Sequence, residues 1–229
     1  MNIGAFQRFS LIEYPGKICA IVFCQGCNFR CPYCYNRELV DPSLFQTPIS
    51  EEEILSFLDR RRGKLDAVTV TGGEPALQPD LKTFLSRLKE MGYLTKVDTN
   101  GSLPGLLEDW IRSGLVDYIA MDIKGPLDKY GEITRSASEP ERILQSVRLL
   151  KTSGIDYEFR TTVVSPLLTP EDILRIAPLI EGARCYALQR FVASKTLDPS
   201  FMDKTSFSDE EIEGLTSALR PHVQSLILR

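Results

Sequence analysis

The sequence predicts an α/β protein, a barrel or open sheet of six strand–helix units. Two observations carry that prediction: short apolar, β-branched runs alternate with segments of helical period, and polar residues gather just after the runs. Six strand–helix units in series imply a parallel sheet buried on both faces, and the right-handed crossover rule winds such units into a barrel or an open doubly wound sheet. With 229 residues and no linker, repeat or low-complexity segment, the chain reads as a single domain over residues 1–229.

The first strand is KICAIVFC (17–24), an apolar run rich in β-branched residues. Ser50 and Glu53 have the spacing of a capping box, ahead of Ile54, Leu55 and Leu58 at helical intervals. LDAVTV (65–70) is a second buried strand, and Leu81, Phe84, Leu85 and Leu88 define a helix around 79–91. TKVDT (95–99), a helix near 104–113 and VDYIAMDI (116–123) continue the alternation. A helix near 139–152 precedes the strand YEFRTTVV (157–164). Thr169, with Pro170 at the first helical position and Asp172 three residues past the cap, opens another helix. CYALQRFV (185–192) is the sixth strand, and 208–220 is a final helix.

Hydrophobic residues make up 43% of the chain and charged residues 25%, the profile of a globular protein with a real core. The net charge of −4 argues against a nucleic acid as the main partner. No apolar stretch approaches the roughly 18 residues of a membrane span, so no membrane partner is expected. MNIGAFQRFSLIEYPGK lacks the basic start and apolar run of a signal peptide, and the expected location is the cytoplasm.

The six cysteines are Cys19, Cys24, Cys27, Cys31, Cys34 and Cys185, and the first five are crowded into one stretch. Such crowding is not the spread of a disulfide framework; in a cytosolic chain it reads as metal binding or redox chemistry. Within CQGCNFRCPYC, Cys27, Cys31 and Cys34 make a CxxxCxxC, and Cys24 adds a CxxC before it. Four thiolates would close a tetrahedral zinc site, whereas three would hold an iron–sulfur cluster with one iron open. Zinc ribbons separate their two CxxC knuckles by roughly 15 residues, so the close spacing here fits a cubane better. Cys19, in mid-strand, reads as a small buried hydrophobe.

CxxxCxxC with an aromatic, Tyr33, directly before its last cysteine resembles the signature of radical S-adenosylmethionine (SAM) enzymes. The resemblance implies that Cys27, Cys31 and Cys34 hold a 4Fe–4S cluster, that SAM chelates the fourth iron, and that Tyr33 belongs to the cofactor site. Cys24 lies outside the pattern and reads as a free thiol near the cluster. TGGEP (71–75) is, on its own, a Gly-Gly turn. After this cysteine motif it resembles the family's GGE motif, which implies that Gly72, Gly73 and Glu74 meet the methionine amino group.

VDTNGS (97–102), otherwise a strand closed by an Asn-Gly turn, resembles the DTNG segment of glycyl-radical activating enzymes, implying cofactor roles for Asp98 and Asn100. MDIKG (121–125), otherwise a strand-end ion pair, resembles their DLK segment, implying cofactor contacts for Asp122 and Lys124. Two apart on a strand, those side chains share a face. The family's pyruvate formate-lyase activating enzymes add a cofactor-contacting histidine near the sixth strand. The matching stretch here is LQRFVASK, so any such contact falls to Gln189 or Arg190, and the lone histidine, His222, reads as structural or surface.

FSLIEYPGKICAIVFCQGCNFRCPYCYN as a whole is similar to the shorter activating proteins of anaerobic ribonucleoside-triphosphate reductases. No further cysteine-bearing insertion follows Asn36, so the motif supports one cluster. The resemblance implies a partial (β/α)6 TIM-like barrel, open on one side, and reductive cleavage of SAM to a 5′-deoxyadenosyl radical, with flavodoxin or ferredoxin as electron donor. It also implies a glycyl-radical enzyme as protein substrate, with hydrogen taken from a glycine Cα. No general acid or base is nominated, because cluster and cofactor supply the chemistry. A first rival is a radical SAM enzyme acting on a small molecule, similar to 7-carboxy-7-deazaguanine synthase; a second is a non-catalytic iron–sulfur or zinc protein.

Overall fold

The computed structural model describes residues 1–137 and 139–229. The chain packs as two compact units: Met1–Asn28, Asn36–Thr99 and Gly105–Ile119 form the first, and Phe29–Tyr35, Asn100–Pro104 and Ala120–Arg229 the second.

In the first unit, β1 (Ile3–Tyr14), β2 (Lys17–Cys24), β3 (Ala67–Gly72) and β4 (Leu94–Thr99) lie side by side in chain order. β1 and β2 form an antiparallel hairpin in which Tyr14 pairs with Lys17. Between them Pro15 presets its φ and Gly16, at φ +68°, takes the left-handed step, so YPGK is a tight turn. β2, β3 and β4 run parallel, in register from Cys19↔Ala67 to Cys24↔Gly72 and from Ala67↔Leu94 to Val70↔Val97. Ala20, Val22, Val68 and Val70 are wholly buried, as expected of parallel strands covered on both faces. The covering helices are α1 (Arg37–Val40), α2 (Glu51–Asp59), α3 (Leu81–Glu90) and α4 (Pro104–Arg112). α3 shows why they form: Leu81, Phe84, Leu85 and Leu88 recur at helical spacing and all four are sealed from solvent.

β5 (Tyr118–Asp122) carries the chain from the first unit into the second. There β6 (Asp156–Val163), β7 (Tyr186–Arg190) and β8 (Leu226–Leu228) run parallel, with Phe159↔Tyr186 and Tyr186↔Leu226 in register. The helices of this unit are α5 (Tyr130–Thr134), α6 (Pro140–Thr152), α7 (Pro170–Leu174), α8 (Ala177–Ile180) and α9 (Asp209–Leu219).

The six strands expected from sequence stand as β2 to β7; two more strands, β1 and β8, were not expected. β1 hides its period because its pairing shifts register between Ile3 and Ala5, Gln7 and Ser10, and Ser10 and Tyr14. Each bulge moves the apolar set to the other face, so Phe9, Leu11 and Ile12 end up in solvent. The capping box expected at Ser50 is not formed: the Ser50 hydroxyl donates to Glu52 Oε2 at 2.9 Å and accepts no amide of α2. The one at Thr169 is formed, with both reciprocal bonds to Asp172. The helix it opens ends early and resumes as α8, because Pro178 has no N–H to offer the Leu174 carbonyl. Among the described residues no helix is long and apolar enough to cross a membrane.

Candidate functional site

Each unit carries part of the predicted site at the carboxyl ends of its parallel strands, where α/β folds place functional groups. In the first unit, the sheet's hydrogen bonding continues past the strand ends. Gly73 N–H donates to the Cys24 carbonyl at 2.8 Å, and Glu74 N–H donates to the Gly26 carbonyl at 2.8 Å. Gly72 adopts φ +116°, and a Cβ on Gly73 would collide with the Gly26 carbonyl oxygen. The two glycines are therefore demanded by close backbone approach to the start of the cysteine loop. Asn36 Nδ2 adds a bond to the Gly72 carbonyl at 2.9 Å.

Glu74 is 1% exposed, and its Oε1 accepts from Ala76 N–H at 3.0 Å and from Thr99 Oγ1 at 2.8 Å. Its carboxylate is thus aimed by β4 and by the turn it caps. Asp98, also on β4, accepts from Lys96 Nζ at 2.5 Å on one oxygen and from Thr71 Oγ1 at 3.4 Å on the other. Cys24 is buried at the end of β2, and desolvation, aided by the Glu74 charge, pushes its thiol up to about 12. That makes it a neutral thiol rather than a nucleophile. Cys27 is half-buried.

The second unit holds Cys31, Tyr33 and Cys34. Their loop is tied down at three points: Arg30 N–H to the Thr134 carbonyl at 2.7 Å, Leu197 N–H to the Cys34 carbonyl at 3.0 Å, and Asp198 N–H to the Pro32 carbonyl at 2.9 Å. Cys34 N–H also donates to the Cys31 carbonyl at 3.0 Å, closing a turn. Burial pushes the Cys31 thiol up to about 11, against the pull of the Lys124 ammonium. Tyr33 is 4% exposed; among the described residues its hydroxyl finds no hydrogen-bond partner, and its ring faces Lys124 Nζ at 6.0 Å.

Asp122, ending β5, receives Lys124 Nζ at 2.8 Å on one oxygen and Arg160 Nε at 2.9 Å on the other. Burial alone would raise the Asp122 carboxyl, but the two cations hold it well below the usual range. Lys124 and Asp122 thus share a face, as their spacing predicted. Arg160 went unread in the sequence although it carried a signal, a cation inside the otherwise buried strand YEFRTTVV. Asn100 Oδ1 accepts from Ser102 N–H at 2.9 Å, so this side chain shapes the Asn-Gly turn.

Arg190 at the end of β7 donates to Asp209 Oδ1 at 2.6 Å and to the Phe207 carbonyl at 3.3 Å, tying down the start of α9. Gln189 beside it is half-buried. His222 meets Glu181 on the surface, Nδ1 to Oε2 at 2.5 Å, in agreement with a structural or surface role. Among the described residues no three His, Cys, Asp or Glu side chains are gathered as a site for a single metal ion. The cysteine loop fits an iron–sulfur cluster by its donor chemistry: all its ligand candidates are thiols close together in the chain, and as thiolates they would hold the iron.

Each unit of this α/β fold thus carries thiols and charged side chains at its strand ends. The model of the radical SAM superfamily matches residues 21–180, and the chain belongs to that family. Its members use a 4Fe–4S cluster and SAM. A protein of Methanocaldococcus jannaschii named as a glycyl-radical enzyme activating enzyme is 33% identical over 232 residues, 99% of this chain and 95% of that protein. The 7-carboxy-7-deazaguanine synthase of Methanothermobacter thermautotrophicus is 40% identical over 181 residues, 72% of this chain and 70% of that protein. Among solved structures, Streptococcus suis SuiB superposes with a TM-score of 0.69 at 14% identity, over 90% of this chain and 48% of SuiB. The partial (β/α)6 barrel expected from the sequence is the core that such neighbours carry.

The glycine contact yields a prediction. Gly73→Ala forces its Cβ onto the Gly26 carbonyl and is expected to cost about 1–3 kcal/mol in urea denaturation. Gly105→Ala on α4, where a Cβ meets nothing, is expected to cost nothing. Equal stability of the two variants would contradict the close approach.

Proposed function

We propose that this radical SAM enzyme activates a glycyl-radical enzyme of the anaerobic ribonucleotide reductase type in the cytoplasm. The observation that carries this reading is the span of the relationship. The relative named as a glycyl-radical activating enzyme matches over 99% of this chain, whereas the 7-carboxy-7-deazaguanine synthase matches over 72%. In this reading Cys27, Cys31 and Cys34 hold the cluster, while Tyr33, Gly72, Gly73, Glu74, Asp98, Asn100, Asp122 and Lys124 form the SAM site. Once bound, cluster and SAM supply reductive cleavage to methionine and a 5′-deoxyadenosyl radical, with the electron drawn from flavodoxin or ferredoxin.

The protein's part is to bind, orient and exclude water. Gly72 and Gly73 let backbone come close to the bound cofactor, and Glu74 offers its carboxylate to the methionine ammonium. Lys124 and Arg160 fix both oxygens of Asp122, so that carboxylate stays charged and still. A glycine on a partner's loop suits the chemistry: without a Cβ, its Cα–H is the backbone hydrogen approached with least obstruction. The bound cofactor would supply the hydrogen abstraction there, and the chain's own residues would hold the partner's glycine Cα–H against it.

The 40% identity to the 7-carboxy-7-deazaguanine synthase favours a second reading, a small-molecule substrate at the same site. An anaerobic mixture of reduced protein, SAM and candidate glycyl-radical enzymes separates the two. We expect the doublet of a glycyl radical by electron paramagnetic resonance, and slow SAM consumption without partner. No doublet with any candidate, alongside rapid turnover of a pterin- or purine-like compound, would establish the second reading. The cofactor site is tested apart from the substrate. Glu74→Gln and Lys124→Met should retain the cluster yet bind SAM more weakly by about 1.5–3 kcal/mol, measured by equilibrium dialysis. Unchanged affinity in both would remove these residues from the site.

A further inference from the structure

Lys96 has been assigned no role beyond its bond to Asp98, yet it is 1% exposed in mid-strand on β4. Sealing an ammonium away from water is costly unless it is paired. Its partners are few: among the described residues Nζ donates one hydrogen bond, to Asp98 Oδ1 at 2.5 Å, and lies 6.0 Å from the centre of the Tyr118 ring. Strand alternation puts Lys96 and Asp98 on one face of β4. Thr69 of β3 is the register partner of Lys96, and Thr71, two residues on, reaches the other oxygen of Asp98. Asp98 is therefore gripped on both oxygens, with the cation further back along the strand and the carboxylate near its carboxyl end.

We infer that Lys96 is a positioning residue of the cofactor site, holding the Asp98 carboxylate in one orientation so that it can accept hydrogen bonds from SAM. The inference rests on the reading of Asp98 as a SAM contact. Lys96 does not itself reach the ligand, because its ammonium is enclosed between Asp98 and Tyr118. Stability alone does not reveal such a role: a buried ion pair replaced whole by apolar groups is often neutral, while removal of one partner strands the other charge. The discriminating quantity is coupling between the two positions in ligand binding.

The test uses the anaerobically reconstituted enzyme in its oxidised, resting state, with SAM binding followed by equilibrium dialysis and iron content measured beside it. Lys96→Met is expected to weaken SAM binding about tenfold or more, and Asp98→Asn to weaken it by a similar factor. The double variant is expected to bind no worse than Asp98→Asn alone, because Lys96 acts only through Asp98. Lys96→Gln, which keeps a donor on Asp98 without the charge, should fall between wild type and Lys96→Met, and it answers the question if the methionine variant fails to take up iron. Weakened binding in Asp98→Asn with wild-type affinity in the Lys96 variants would overturn the inference while leaving Asp98 in the site. Losses that multiply in the double variant would overturn it too, by showing that Lys96 acts independently. Wild-type affinity in Asp98→Asn would withdraw Asp98 from the site and the inference with it.

Discussion

Two backbone hydrogen bonds, Gly73 N–H to Cys24 and Glu74 N–H to Gly26, hold the first unit's share of the site together. They prolong the β2–β3 ladder beyond its last register pair, Cys24↔Gly72, into what would otherwise be two independent loops. Only glycine permits this approach, since any side chain at position 73 would strike the Gly26 carbonyl. From that contact the rest follows in order. Glu74 is delivered to Thr99 on β4, and β4 presents Asp98 one residue earlier, gripped by Lys96 and Thr71.

The second unit solves its share of the problem with charge. Asp122 at the end of β5, Lys124 just beyond it and Arg160 on β6 form a cluster of one acid and two bases. An unpaired carboxylate there would be costly to desolvate; with two cations its charge is secured and its orientation fixed. Lys124 also faces the Tyr33 ring, and its charge lowers the Cys31 thiol against burial. One ammonium thus links the acid at the end of β5 to the cysteine loop. Such polar side chains at strand ends add little to a core, and perturbed groups of this kind are the ones a functional site also uses.

How much of this the amino-acid sequence disclosed depended on whether its signals were periodic and local. The buried parallel strands were legible because covering on both faces makes them continuous apolar runs, as in KICAIVFC. α3 was legible because four apolar residues mark one face, and the α7 cap because Thr169, Pro170 and Asp172 each carry a distinct capping signal. β1 was not, because its bulges scramble the alternation that identifies a strand. Ser50 misled because the capping spacing is necessary but not sufficient: the neighbouring Glu52 took the hydroxyl instead. Cys27, Cys31, Cys34, Gly72–Glu74 and Lys124 were nominated through short motifs. Arg160 and Lys96 belong to no motif, and only the fold shows which carboxylates they hold, though a cation within a buried strand was a readable clue for both.

The central claim is that three thiols, from Cys27, Cys31 and Cys34, carry a cubane with one iron left for SAM. Iron and acid-labile sulfide, measured after anaerobic reconstitution, test it most directly. The account predicts about four of each per chain, lost in the Ala variant of any of the three cysteines and kept in Cys24→Ala. Stoichiometric zinc in protein prepared without air, lost in Cys24→Ala, would contradict it.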